Sequence, residues 1–299
     1  MQNQLTASLH ICKSGAGHQD SCLLADADAG RDFRSVRKTT GGCLPRWLAI
    51  LLSGFLLAQP VAAEIPQRML SLDLCMDWML AHHADPQRVA GLSPTYKRYP
   101  VDWLGDNWPD HDGSLEQIVQ LQPDLALVGQ FSAFMLRERL RDLGYRVELL
   151  PLPATLEQVV DYERQLLKLM GEDPDKAQPA PEWHVPKPDA KRLLLLGSNG
   201  IGTGRDTFEH QIIEQAGWRN YLEVSGHVAL DLEQISADPP DAILFAAPES
   251  QALANRFADH PVLRQVVAPE NWLHTDYWRW QCPGPWTWDL IRQLNQWLD

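Results

Sequence analysis

The ten residues LEQIVQLQPD (Leu115–Asp124) return 117 positions later as LEQISADPPD (Leu232–Asp241). Across the sixteen-residue windows Ser114–Gly129 and Asp231–Ala246, seven positions are identical. Most of that identity encodes folding. Leu115 and Ile118, like Leu232 and Ile235, lie three apart on one helical face and are expected to bury against a sheet. Ser114 and Asp231 precede the helices, with Gln117 and Gln234 three residues on, which is a capping-box pattern. Pro123 and Pro240 stop the helices, and Asp124 and Asp241 lead into strands. A helix–strand unit written twice argues for two similar α/β halves over one fused sheet. Glu116 and Glu233 point away from the buried face. They either complement the helix macrodipole, worth roughly 0.3–1 kcal/mol at an exposed site, or form a paired acidic knob, one per half.

Residues 1–63 are expected to lie outside the folded part. Val36–Trp47 is basic and free of acids; the apolar run Leu48–Ala58 follows, and then Val61-Ala62-Ala63. That order reads as a secretory signal peptide over about 36–63, and eleven apolar residues are too few for a span of about 20. The polar segment 1–35 is odd ahead of a signal peptide, and translation is expected to start near Val36. No cysteine follows the cut, so no lipid anchor is expected. The first 63 residues hold six basic and four acidic side chains, so a chain of net charge -13 carries -15 once they are removed. Such a surface lacks the basic footprint of nucleic-acid binding. Of five cysteines, Cys75 and Cys282 remain, enough for one disulfide in an oxidising compartment.

The remainder alternates strand and helix, the signature of a layered α/β fold with a largely parallel sheet. Residues 64–153 form the first lobe, with strands over Arg68–Leu72, Arg88–Leu92, Asp124–Gly129 and Arg146–Leu150. Its helices are expected at Cys75–His82, Leu115–Leu121 and Ala133–Leu143. A long helix over 154–172 is opened by a Thr155/Gln158 capping box and closed by Gly171. A proline-rich join spans 173–190. The second lobe, 191–299, repeats the pattern: strands Lys191–Gly197, Asp241–Ala246 and Asn271–Thr275, and helices Phe208–Ala216, Leu232–Ala237 and Leu290–Leu298.

The order and spacing of five stretches carry a resemblance: RMLSLDLCMDWMLAHHADPQRVAGLS, SLEQIVQLQPDLALVG, GTGRDTFEHQIIEQAGWRNY, DLEQISADPPDAIL and GPWTWDLIRQLNQWL. Together with the lone spacer helix they make nearly the whole mature chain similar to the class III periplasmic substrate-binding proteins of ABC importers, the cobalamin and iron-siderophore group. The resemblance implies two Rossmann-like lobes joined by a single rigid helix, a ligand cleft between them and modest closure. It implies a periplasmic, non-enzymatic monomer without an intrinsic cofactor, which delivers a corrinoid such as vitamin B12, an iron-siderophore or haem. It further implies that Glu116 and Glu233 dock onto arginines of a permease dimer served by a cytoplasmic ATPase. The proline-rich join after the spacer helix departs from the family pattern.

Ligands of open α/β sheets lie beyond the carboxyl ends of the strands. That rule selects Asp73 and Cys75, the Ser93–Tyr99 loop with Tyr96, Lys97 and Arg98, and Gln130 and Phe131. From the second lobe it selects Asn199–Arg205, Ala247–Glu249 and Asp276–Cys282, the last holding Trp278, Trp280 and Cys282. If YWRW is extended, Trp278 and Trp280 share a face, for which cleft and core are equally open; Trp286, Trp288 and Trp297 are expected in the core. Aromatic walls with a few polar groups suit a bulky organic ligand, and Lys97, Arg98, Arg205 and Arg279 suit carboxylates or an anionic chelate. The alternating glycines of NGIGTGR suit a flexible cleft loop and fit no G-x-G-x-x-G. Cys75 and Cys282 are open to an interlobe disulfide, a contact to the ligand, or two unrelated thiols. His82 and His83, being adjacent, are expected to point apart, and no histidine pair has metal-site spacing. The competing class is a secreted redox or hydrolytic enzyme using Cys75 or Cys282, which no nucleophile motif or C-x-x-C supports.

Overall fold

The computed structural model describes residues 64–105, 107–182, 185–247 and 252–298. The expected signal region, residues 1–63, lies outside them, as do Pro248 and Glu249 of the expected cleft.

The first lobe contains β1 (Met69–Ser71), α1 (Leu74–His83), β2 (Val89–Gly91), α2 (Leu115–Leu121), β3 (Leu125–Gly129), α3 (Phe134–Asp142) and β4 (Val147–Leu150). Its sheet runs β2-β1-β3-β4 with every neighbour parallel. Successive strand residues face opposite sides, and the core divides accordingly. Met69, Leu125 and Leu127 pack with Met76, Trp78 and Met79 of α1. Leu70, Ala126 and Val128 pack with Ile118 of α2 and Leu140 of α3. The result is a sheet between two helical layers.

The second lobe contains β5 (Arg192–Leu196), β6 (Ile201–Thr203), α5 (Phe208–Gln215), β7 (Arg219–Asn220), β8 (His227–Ala229), α6 (Leu232–Ala237), β9 (Ala242–Phe245), α7 (Pro261–Val266), β10 (Trp272–Leu273), α8 (Trp278–Gln281) and α9 (Trp286–Gln296). The spacer helix between the lobes is α4 (Glu157–Met170). The second sheet runs β10-β9-β5-β6-β8, with β7 also on β5. Its parallel half, β10-β9-β5, repeats the first lobe. Leu193 and Leu195 pack with Ile212 and Leu290 on one side, while Leu194 and Leu196 pack with Ile235 and Leu263 on the other.

Three expectations change. The NGIGTGR stretch is not a loose cleft loop: Ile201–Thr203 is β6, antiparallel to both β5 and β8. Its glycines serve packing, since a Cβ on Gly202 would stand 2.4 Å from Leu222 Cδ1 and one on Gly204 2.0 Å from the Val224 carbonyl oxygen. The spacer helix starts at Glu157, without a side-chain cap from Thr155. The expected box does not form; Gln158 Oε1 instead accepts the Ala154 N–H at 2.8 Å, one residue before Thr155. Gly171 ends the helix in the left-handed region, φ 73°. His82 and His83 do not diverge; their rings meet edge-on, with centroids 4.7 Å apart at the frayed end of α1.

Three links cross between the lobes. The spacer helix begins against the second-lobe core through Leu156 and Val159 and ends in the first-lobe core through Tyr162, Leu166 and Met170. The segment 278–288 divides itself likewise. Trp278, Cys282 and Trp286 join the first-lobe cluster, and Trp280 and Trp288 the second. The third link is a disulfide between Cys75, in the first turn of α1, and Cys282, 207 positions away.

Candidate functional site

The strands of both sheets end on a cleft. The loop after β2 lays Arg98, Tyr99, Val101 and Trp103 along one wall, and Ala247, Thr275, Tyr277 and Trp278, after β9 and β10, form the other. They enclose a cavity of about 610 Å³. Tyr99 and Tyr277 face the same cavity from its two walls. The Tyr277 phenol is pushed up from its usual value, first by burial and then by Tyr99. The Tyr277 hydroxyl therefore stays protonated at neutral pH and serves as a hydrogen-bonding group.

Two smaller recesses adjoin it. One, of about 220 Å³, lies in the second lobe at the ends of β5, β6 and β9, with Ser198, Thr203, Glu209, His227 and Trp280 around it; Tyr277 is shared with the main cavity. His227 Nε2 lies 3.8 Å from Glu209 Oε1. The other, of about 390 Å³, is walled by His82, Trp103, Trp278 and Trp286, with Asp276, Arg279 and Asp289 around them. Trp103 and Trp286 stack at 5.8 Å with planes 24° apart. The His82 imidazole is held below its ordinary pKa, mainly by burial and then by His83, so it is neutral at pH 7.

The residues selected from the sequence separate into distinct groups. Arg98 and Trp278 line the main cavity, and Trp280 touches the second-lobe recess. YWRW is not extended: Trp278 and Trp280 lie in the short helix α8, so they do not share a face. Trp280 is buried in the second-lobe core, its indole N–H donating to Thr275 Oγ1 at 2.7 Å. Cys75 and Cys282 are joined, which settles their alternatives in favour of the interlobe disulfide. Arg279 faces the aromatic recess but is turned onto Asp276 and Gln293.

Others stand elsewhere. Tyr96 is buried in the first-lobe core, its hydroxyl donating to the Trp108 carbonyl at 3.3 Å. Lys97 is ion-paired with Asp110, and Arg205 pairs with Glu223 at 3.2 Å. Asp73 caps α1 by accepting the Met76 N–H and ties β3 to it by accepting the Gly129 N–H. Burial raises its pKa, against the pull of those backbone donors. Gln130 gives its carbonyl to Arg137, and Phe131 is 85% exposed. Asn199 is exposed in the left-handed region. None of these lines the three cavities described above. Glu116 and Glu233 are exposed in the first turns of α2 and α6, and neither has an ion-pair partner among the described residues.

Sequence reasoning missed Trp103, Tyr277 as a distinct residue, Glu209 and His227. Trp103 carried one signal: a tryptophan outside any periodic pattern, bracketed by Pro100 and Gly105. Beneath the cleft, Asp77 is fully buried and accepts from Ser71 Oγ, the Ser93 N–H and Ser93 Oγ. Burial raises its pKa to about 7. Among the described residues no group of three or more His, Cys, Asp or Glu side chains is placed to hold a bare metal ion, and no helix is long and apolar enough to cross a membrane. Chemically, the cleft can hold a broad ligand between aromatic side chains, with phenol hydroxyls, the Arg98 guanidinium and the carboxylates of Asp102 and Asp276 at its edges.

No family model matches the sequence, and no curated protein sequence matches it. Solved structures do. A possible iron-binding periplasmic solute-binding protein of Staphylococcus epidermidis has a TM-score of 0.59 at 17% identity, covering 78% of this chain and 98% of its own. A periplasmic haem-binding protein of Pseudomonas aeruginosa has 0.56 at 20% identity, with 78% and 92% covered. The periplasmic vitamin B12-binding protein BtuF of Vibrio cholerae has 0.53 at 16%, with 78% and 97% covered. Each spans nearly its whole length on this chain.

Proposed function

With the two-lobed α/β fold of periplasmic solute-binding proteins as its premise, we propose that this chain is the substrate-binding component of an ABC importer. In this reading a signal peptide sends it to the periplasm. There it takes a bulky metal chelate, a corrinoid such as vitamin B12, an iron-siderophore or haem, into the cleft and delivers it to a permease dimer. The observation that carries the reading is the 610 Å³ cavity with aromatic side chains from both lobes, Tyr99 and Trp103 against Tyr277 and Trp278. Similar folds that bind haem and vitamin B12 support it. Trp278 and Trp103 sit in that wall, so ligand is expected to quench indole fluorescence. Titration with haem, cyanocobalamin and a ferric siderophore should give saturable quenching at one equivalent for at least one of them. Saturation by none would refute the reading.

Docking is assigned to Glu116 and Glu233, each exposed, unpaired and at the start of a repeated helix. Charge complementarity of this kind governs encounter rate and register. Glu116→Lys with Glu233→Lys should abolish chelate uptake by cells while leaving affinity for the chelate unchanged; full uptake by the double variant would defeat the assignment. The enzyme alternative loses its nucleophile, because a cysteine held in a disulfide offers no thiolate.

A further inference from the structure

The main cavity and the aromatic recess are neighbours with a common wall of Trp103, Trp278 and Asp276. Its members are held very differently. Trp278 is anchored in the first-lobe core, its ring 4.8 Å from that of the fully buried Trp78. Asp276 is a short side chain held by Arg279 at 3.1 Å. Trp103 is 42% exposed, and it sits in an irregular turn between Pro100 and Gly105. The backbone of that turn is pinned on either side by the buried Val101 and Leu104. Among the described residues the indole meets three rings edge-on, tilted or stacked: His82 at 5.8 Å, Trp278 at 6.0 Å and Trp286 at 5.8 Å. It can therefore leave its place by side-chain rotation while the turn keeps its anchors.

We propose that Trp103 is a movable partition that sets the size of ligand the cleft accepts. Stacked on Trp286, it closes the main cavity and gives a smaller chelate an indole wall. Swung outward, it joins the cleft to the recess and makes one trench, floored by Trp278 and Trp286, for a larger one. The ligand class rests on the receptor reading above; the motion of the ring does not. Substituting Trp103 therefore moves the two sizes of ligand in opposite directions. A ligand confined to the main cavity loses a wall, whereas one that needs both spaces no longer has to displace the indole from its stack.

The test uses the full mature chain labelled with 5-fluorotryptophan, with Trp103→Phe to identify its resonance and Trp103→Ala to remove the wall. Trp103 should show two resonances or exchange broadening where Trp286 shows one sharp line. Haem should bind Trp103→Ala about tenfold more weakly, and cyanocobalamin, the larger probe, about tenfold more tightly. A single sharp Trp103 resonance, with every bound probe weakened in the same sense, overturns the partition while leaving the receptor reading standing. Exchange at Trp103 in a protein that binds no chelate supports the partition and removes the receptor reading instead.

Discussion

The two lobes share a latch and differ in what they show to the cleft. In the first, the Asp124 carboxylate accepts the backbone N–H groups of Gln67 and Arg68 at 2.6 and 3.0 Å, just before β1. Arg68 in turn donates to the carbonyls of Leu121 and Gln122 at the end of α2. In the second, Asp241 accepts the Arg192 N–H at 2.6 Å, and Arg192 donates to the Pro239 carbonyl and grips Asp238 with both Nη atoms just after α6. In each lobe an arginine opening the central strand holds the end of the repeat helix or the residues just after it, and an aspartate leading into the next strand accepts that arginine's backbone N–H. Beyond the latch the lobes part. The first has four parallel strands and sends a long irregular loop into the cleft; the second adds the antiparallel strands β6 and β8 and meets that loop with the short helix α8. The duplicated part supports the cleft, and the divergent part forms its surface.

The largest effect expected on this division comes from the staple between the lobes. Closing a loop of two hundred residues with Cys75–Cys282 contributes about 5 kcal/mol in the chain-entropy account. Cys75→Ser with Cys282→Ser should lower stability by about 3–5 kcal/mol and split one calorimetric transition into two. A single unchanged transition would show that the spacer helix and the tryptophan segment suffice. Next comes Asp77, the only fully buried aspartate among the described residues, which has no counterpart in the second lobe. Its folded pKa, about 7, lies above its unfolded value near 3.8, so the native state holds the proton more tightly. Stability should fall as pH rises from about 4 to 7, by up to about 4 kcal/mol from this group. Asp77→Asn should flatten the urea-melt profile over that window, and a profile unmoved by the substitution would locate the titration elsewhere.

The smallest effect separates the latches. Asp124 holds two backbone donors and Asp241 one, so Asp124→Ala should cost about 2 kcal/mol and Asp241→Ala about 1 in chemical denaturation. The reverse order would mean that the bidentate Arg192–Asp238 pair, not the backbone bond, carries the second latch.

The latch also marks how far the sequence could be read. Periodicity, proline stops and the repeat located both central strands and both copies of the helix, because burial against a sheet leaves a regular trace. Arg68 and Arg192 left none: their offset is 124 residues against 117 for the repeat, so no aligned window held both. At the cleft the rule about strand ends chose the right loops but only some of the right side chains, Arg98, Tyr99 and Trp278 among them. Tyr96 and Tyr99 lie three apart in one loop; one turns into the core and the other into the cavity, a choice made by packing with Trp108 and Tyr277. Trp278 and Trp280 were misread because four residues are too few to distinguish period 2 from a single helical turn. Glu209 and His227 come together only when β8 pairs with β6, a strand hidden in a glycine-rich stretch.

Cys282 and Trp286 occupy the first-lobe core, where the indole N–H of Trp286 donates to the Cys282 carbonyl. A chain that appears from its amino end first thus presents the first lobe with two pieces missing, for as long as it takes the next two hundred residues to arrive. Its apolar face under α1 cannot close early, and Cys75 waits as a free thiol beside it. The first lobe's final oxidation thus becomes a check that the second has been made.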